Sequence, residues 1–169
     1  MDARRESDVT PTNNRTEVER KSELELAVTR TINAPAHLVF EAWTKAELFR
    51  RWWVPKSFGL TLLSCEMDVR VGGQYRVVFP HEGSTMEFFG TYLEVTPHSR
   101  LVWTNDEGEN GQTITTVTFE ENAGRTQVVV QDRYSSKEAM ESGSMGAMPE
   151  SLDQLDELLA SLASGAETK

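Results

Sequence analysis

The sequence predicts an α+β domain in which an antiparallel sheet curls around one long C-terminal helix, and three observations lead there. Residues 23–32 and six later segments read as strands, with apolar side chains returning at every second position. The connections between the later segments are short and rich in turn residues, so consecutive strands are expected to fold back on one another. Met148, Leu152, Leu155, Leu159 and Leu162 recur at intervals of four, three, four and three, which draws one apolar stripe along a helix. Fully buried, that stripe contributes at most about 8–15 kcal/mol, comparable with the net stability of a whole domain, so the helix is expected to dock.

The elements follow in order. Residues 1–16 are polar, mixed in charge and nearly free of large apolar groups, so nothing offsets the entropy of ordering them and a disordered tail is expected. Leu24, Leu26, Val28 and Ile32 then share one side of a first strand, with Glu25, Thr29 and Thr31 on the other, until Asn33-Ala34-Pro35 ends it. Pro35 suits the first turn of a helix carrying Leu38, Val39, Ala42 and Trp43 at helical spacing, and residues 45–52 make a second short helix. Trp52 and Trp53 close it. Two adjacent indoles cannot share one helix face, so at least one must leave the helix and cover a sheet end or a pocket.

Strand-like runs follow at 60–69, 74–80, 86–96, 100–105, 112–120 and 125–135. They are separated by Gly72-Gly73, His81-Glu82-Gly83, Pro97-His98-Ser99, residues 106–111 and Asn122-Ala123-Gly124, which describes a six-strand meander. Ser135-Ser136-Lys137-Glu138 has capping-box spacing for a short helical piece, Gly143 and Gly146 make a hinge, and Pro149 falls in the first turn of the long helix. The domain is therefore expected to span 17–163, with 1–16 and 164–169 as flexible ends.

Composition narrows the function classes. A chain of 169 residues suits one domain with one sizeable core, and the single Cys65 cannot form an internal disulfide. No apolar run approaches the roughly 20 residues of a membrane span, and the first residues lack the apolar stretch of a signal peptide, so a cytoplasmic location is expected. The formal charge is −10, and residues 1–22 balance five basic against five acidic groups, so the whole excess lies on the folded body. An acidic body repels phosphate backbones and anionic lipid, which argues against nucleic acid and membrane surfaces as partners.

Several blocks resemble one known family in order and spacing. They are Ala34-Pro35 with Val39-Phe40-Glu41-Ala42-Trp43, then Arg51-Trp52-Trp53-Val54-Pro55, and then residues 65–73 ending in Gly72-Gly73. Phe89-Gly90-Thr91-Tyr92, Pro97 to Trp103, residues 116–120 and residues 151–159 continue the match. Over about residues 22–162 the chain resembles the activator of heat shock protein 90 ATPase-like family, part of the START-like, birch-pollen-allergen-like (SRPBCC) superfamily. The resemblance implies a helix-grip fold: a seven-stranded antiparallel sheet around the C-terminal helix, enclosing a cavity that in bacterial and other relatives receives apolar molecules. It does not carry one activity with it, because members bind lipids and hormones, act as cyclase components or assist chaperones.

Strand parity names the cavity candidates. Met67, Tyr75, Val77, Phe79, Phe88, Tyr92, Trp103, Val128 and Val130 are expected to face the long helix, which adds Met145, Met148 and Leu152. For each of them a filled core is the plain alternative to ligand contact. Arg30 shares parity with Val28 and Ile32, so either its guanidinium is buried and pairs with Glu66, Asp68 or Asp132, or it is simply exposed at the strand end, or it anchors the polar head of a ligand. Trp52 and Trp53 divide between a lid over the sheet end and a recognition corner.

The search for chemistry is mostly negative. His37, His81 and His98 lack neighbours at metal-ligand spacing, Cys65 reads as an inert buried thiol, and no phosphate-binding loop or nucleophile elbow occurs. No metal and no cofactor are expected. Glu66 with Asp68, or Asp132 with Glu138, would be the acid–base pairs if the chain were a small cyclase- or hydrolase-like enzyme. The leading expectation is binding or carriage of a small apolar molecule. The alternative is a co-chaperone-like module that docks a protein partner through the acidic final helix, where Glu138, Glu141, Glu150, Asp153, Asp156 and Glu157 outnumber Lys137.

Overall fold

The computed structural model describes residues 16–59, 61–106, 112–142 and 148–163. The expected tail up to residue 15, the hinge around Met145 and the C-terminus beyond 163 lie outside the described residues. Among the described residues eight antiparallel strands form one open sheet: β1 (Glu17–Ser22), β2 (Glu25–Ile32), β3 (Ser64–Met67), β4 (Gln74–His81), β5 (Ser84–Thr96), β6 (Arg100–Asn105), β7 (Thr113–Asn122) and β8 (Arg125–Arg133). Helices α1 (Ala36–Thr44) and α2 (Ala46–Trp52) follow β2, while α3 (Lys137–Ser142) and α4 (Met148–Ala163) follow β8. The order across the sheet is β1-β2-β8-β7-β6-β5-β4-β3, so the first expected strand closes against the last.

The strand count exceeds the expected seven by one. β1 has all six residues exposed and is held by its backbone ladder to β2, from Glu17 opposite Thr29 to Ser22 opposite Glu25. A strand with neither face in the core leaves no apolar alternation to read. β3 is also shorter than the expected 60–69 run, with only Ser64–Met67 paired to β4. The meander itself is as expected. Two of its hairpins turn on two residues with positive φ, Glu82-Gly83 (48° and 79°) and Ala123-Gly124 (56° and 79°), the primed-turn geometry that matches the twist of the flanking strands.

β5 is thirteen residues long because it serves two partners, β4 along its first part and β6 along its second. It bends between them at Gly90 and at a bulge between Tyr92 and Glu94. A Cβ on Gly90 would stand 1.8 Å from the Thr104 carbonyl oxygen, so only glycine lets β5 approach β6 this closely.

One face of the sheet carries Val28, Ile32, Val77, Tyr92, Leu101, Trp103, Val117, Val128 and Val130 into the core. From the helical side come Trp43, Phe49, Trp52, Met148, Leu152, Leu155 and Leu159, so the stripe of α4 docks as its spacing requires. α4 rests against β2, α1 and α2.

Side chains of α4 also hold the chain that leaves α2. Gln154, itself buried, donates to the Trp52 and Val54 carbonyls at 2.9 and 3.0 Å and accepts the Lys56 N–H at 2.7 Å. Ser151 donates to the Trp53 carbonyl at 2.7 Å, and Glu150 accepts from the Ser57 N–H at 3.0 Å and the Ser57 hydroxyl at 2.7 Å. The backbone between Trp52 and Ser57 is thus satisfied across the interface.

Two substitutions test these supports. Gln154→Leu keeps the side-chain volume but orphans three peptide groups, and is expected to cost about 3 kcal/mol in denaturant unfolding with an unchanged slope. Gly90→Ala forces β5 away from β6 and is expected to cost about 3 kcal/mol, whereas the same change at exposed, unobstructed positions of a strand is mild.

Candidate functional site

Where α2 faces the bend of the sheet, aromatic and apolar side chains converge without quite filling the space between them. Phe49 and Trp53 come from the helical side; Met67, Tyr75, Val77, Phe88, Tyr92 and Trp103 come from β3 to β6; Asn105 closes one end. The enclosed space is about 30 Å³. That is room for roughly one water molecule, so the interior is close to filled as it stands.

The two tryptophans part company here. Trp52 ends α2 with no exposed surface, and its indole N–H donates to the Ala42 carbonyl at 3.0 Å, so it belongs to the core and offers neither lid nor recognition surface. Trp53, one residue past the helix, is half-buried, stacks on Phe49 with ring centroids 4.7 Å apart and borders the cavity. Behind both, Trp43 meets Trp52, Trp53, Phe49, Trp103 and Phe119 at centroid separations of 4.8–6.3 Å, mostly edge to face.

The parity-derived candidates separate into two groups. Met67, Tyr75, Val77, Phe88, Tyr92 and Trp103 line the cavity. Val128, Val130, Met148 and Leu152 are buried in the core away from it, and Phe79 packs against that core edge-on to Phe88 at 5.2 Å. Met145 lies outside the described residues.

Arg30 is buried on the inner face as its parity requires, at 8% exposure, but its partners differ from those expected. Its guanidinium pairs with Asp153 and, at 3.1 Å, with Asp156, and it also donates to the Thr16 hydroxyl at 3.0 Å. Glu66, Asp68 and Asp132 are not its partners because α4, rather than another strand, crosses β2 at this point. The guanidinium therefore ties β2 to α4, remote from the cavity, and the acidic face of α4 is partly spent on this chain's own groups.

A second, open space adjoins the first. A groove of about 700 Å³ runs over the turn between β3 and β4, bordered by Asp68, Arg70, Gly73, Arg76, Glu87 and Asp106 among others. Met67 and Tyr75 line both spaces, so they are the wall between an apolar interior and a polar, open groove. In the groove Arg70 pairs with Asp68 and Arg76 with Glu87, at 3.0 and 2.6 Å. Glu66 is exposed there, and Asp68 is taken up by Arg70, so these carboxylates are not set as an acid–base pair in the cavity.

At the other boundary, polar side chains of the inner face form a row that the sequence reading did not single out. Tyr75 Oη lies 2.8 Å from Asn105 Oδ1, Asn105 Nδ2 donates to Thr115 Oγ1 at 2.8 Å, and Thr115 donates to Asp132 Oδ1 at 2.6 Å. The Tyr134 hydroxyl donates to the other oxygen of Asp132 at 3.3 Å, and burial beside that carboxylate pushes the phenol above its ordinary pKa. The signal was available: Asn105 is two residues past Trp103, and Thr115 and Asp132 fall opposite Trp103 and Thr115 in register. Phe49 and Asn105 were likewise missed as lining residues.

The thiol of Cys65 is half-buried, 3.7 Å from the Met67 sulfur, and burial raises its pKa, which disfavours the reactive thiolate. Among the described residues no three His, Cys, Asp or Glu side chains are grouped to hold a metal. No described helix is long and apolar enough to cross a membrane.

Comparison with known proteins follows from this geometry. A Rhodobacter sphaeroides protein of known structure is similar at a TM-score of 0.78 and 23% identity, over 86% of this chain and 99% of that one. A Nitrosomonas europaea protein matches with the same identity and coverage at a TM-score of 0.75. A Chromobacterium violaceum protein is 26% identical over 79% of this chain and 96% of its own, at a TM-score of 0.69. No curated protein matches. The family described as "Activator of Hsp90 ATPase homolog 1-like protein" matches residues 33–160, from the end of β2 nearly to the end of α4, and the chain belongs to that START-like family.

Proposed function

We propose that the protein binds a small apolar molecule in the cavity between Trp53 and the bend of the sheet. The observation that supports this reading most is the convergence of aromatic and apolar side chains from α2 and four strands on unfilled space, with only Met67 and Tyr75 between that space and an open groove.

A ligand of more than one or two heavy atoms has to displace part of the wall. Met67 is suited to that, since an unbranched thioether with three rotatable bonds repacks at little cost. Burying about 300 Å² of ligand surface yields roughly 7 kcal/mol before association and repacking costs, which places affinities in the micromolar range or weaker.

A docking role for α4 has less support. Asp153 and Asp156 are engaged by Arg30, and Glu150 by Ser57, which leaves Glu157 as the exposed carboxylate of the helix free of those contacts. A basic partner would compete with the protein's own internal pairs.

Native mass spectrometry of the purified protein tests the reading directly, with a stoichiometric apolar mass as the expected result. Titration with benzothiophene then separates cavity from core. Met67→Ala removes the side chain that a ligand must push aside, and is expected to tighten benzothiophene binding severalfold while costing about 2 kcal/mol of stability. Val128→Ala, in the core away from the cavity, is expected to lower stability comparably and leave the affinity unchanged. Equal effects of the two on binding would place the ligand elsewhere.

A further inference from the structure

Resting on the binding reading above, we propose that the cavity takes an apolar molecule bearing a hydrogen-bond donor at one end, an N–H or O–H received by the side-chain oxygen of Asn105. Asn105 closes the cavity beside Tyr75. Its Nδ2 donates to the Thr113 carbonyl at 3.2 Å and to Thr115 Oγ1 at 2.8 Å. A backbone carbonyl can only accept, so the amide has one orientation and Oδ1 is the edge it turns toward Tyr75.

The tyrosine agrees with that polarity. Its single hydroxyl proton has two acceptors in reach, Asn105 Oδ1 at 2.8 Å and the Thr104 carbonyl at 3.0 Å. Farther along, the Thr115 hydroxyl donates to Asp132 Oδ1, so its oxygen receives the Asn105 N–H. The Asn105 N–H that meets Thr115 and the Thr115 hydroxyl proton both point toward Asp132, away from Tyr75. At this pole the cavity therefore presents acceptor oxygens, and an amide oxygen has a second lone pair beyond the one Tyr75 uses. A ligand donor placed here gains a hydrogen bond, whereas a bare ether or carbonyl oxygen meets another acceptor after giving up its water.

The test compares indole with benzothiophene, near-isosteric bicycles of which only indole carries an N–H, by calorimetric titration of the full chain. Indole is expected to bind about tenfold more tightly. Asn105→Leu is expected to bring the ratio to about one. Equal affinities for the two probes in the unchanged protein overturn the donor preference and leave the cavity reading standing. Binding of neither probe overturns both. The decisive comparison uses the unchanged protein, so it stands even where Asn105→Leu fails to fold. A second pair, 4-ethylphenol against 4-ethylanisole, is expected to show the same order, and its reversal overturns the preference.

Discussion

Between Trp52 and Ser57 the chain passes from a helix end through an irregular stretch whose peptide groups have no helical partners. Side chains of α4, 93 to 102 residues later, satisfy the carbonyls of Trp52, Trp53 and Val54 and the N–H groups of Lys56 and Ser57. Everything at the cavity leans on this arrangement. It fixes where Trp53 leaves the helix, and so where the indole stacks on Phe49 and bounds the interior. It also explains why a helix with an apolar stripe carries a buried glutamine and a buried serine next to that stripe. Hydrophobic burial brings α4 to the sheet, but it is non-directional, and the hydrogen bonds of Gln154 and Ser151 set its azimuth and its register against α2.

Around that joint the aromatic rings form a continuous body from Phe119 on the sheet through Trp43 to the Trp53 boundary. Edge-to-face contacts of this kind are directional and each adds about 0.5–1.5 kcal/mol beyond area burial, so the rings give the inner part of the cavity a stiff floor. The opposite wall is different. Met67 and Tyr75 have the groove behind them, and Met67 belongs to a strand of four residues at the margin of the sheet. A rigid side facing a compliant side suits a site that accepts more than one apolar shape while reading one polar end.

Much of this was legible from residues alone. The six-strand meander, the turns at Glu82-Gly83 and Ala123-Gly124, the docking stripe of α4 and the inner-face parity of Tyr75, Val77, Phe88, Tyr92 and Trp103 follow from periodicities of two and 3.6 and from turn chemistry. What escaped depends on which distant segments meet. Arg30 could be assigned to the buried face, but its pairing with Asp153 and Asp156 requires knowing that α4 crosses β2. Gln154 carries no local sign of its role, since nothing near it in sequence says that three peptide groups of another segment await it. The row from Asn105 to Asp132 was closer to hand, because Thr115 and Asp132 stand on the register line of Trp103 and Asn105 is two residues farther along the same strand.

The strand that the apolar pattern could not reveal has a consequence of its own. β1 contributes nothing to the core, yet it occupies the hydrogen-bonding edge of β2, and its exposed side chains alternate Glu17, Glu19, Arg20 and Lys21 with the lone apolar Val18. At the other margin β3 offers only four residues before the chain turns away. An open sheet is a template for more strands, and long apolar edges invite edge-to-edge aggregation. Among the described residues one border is charged and the other is too short to seed a ladder, so the eight strands described form an open sheet guarded against edge-to-edge pairing.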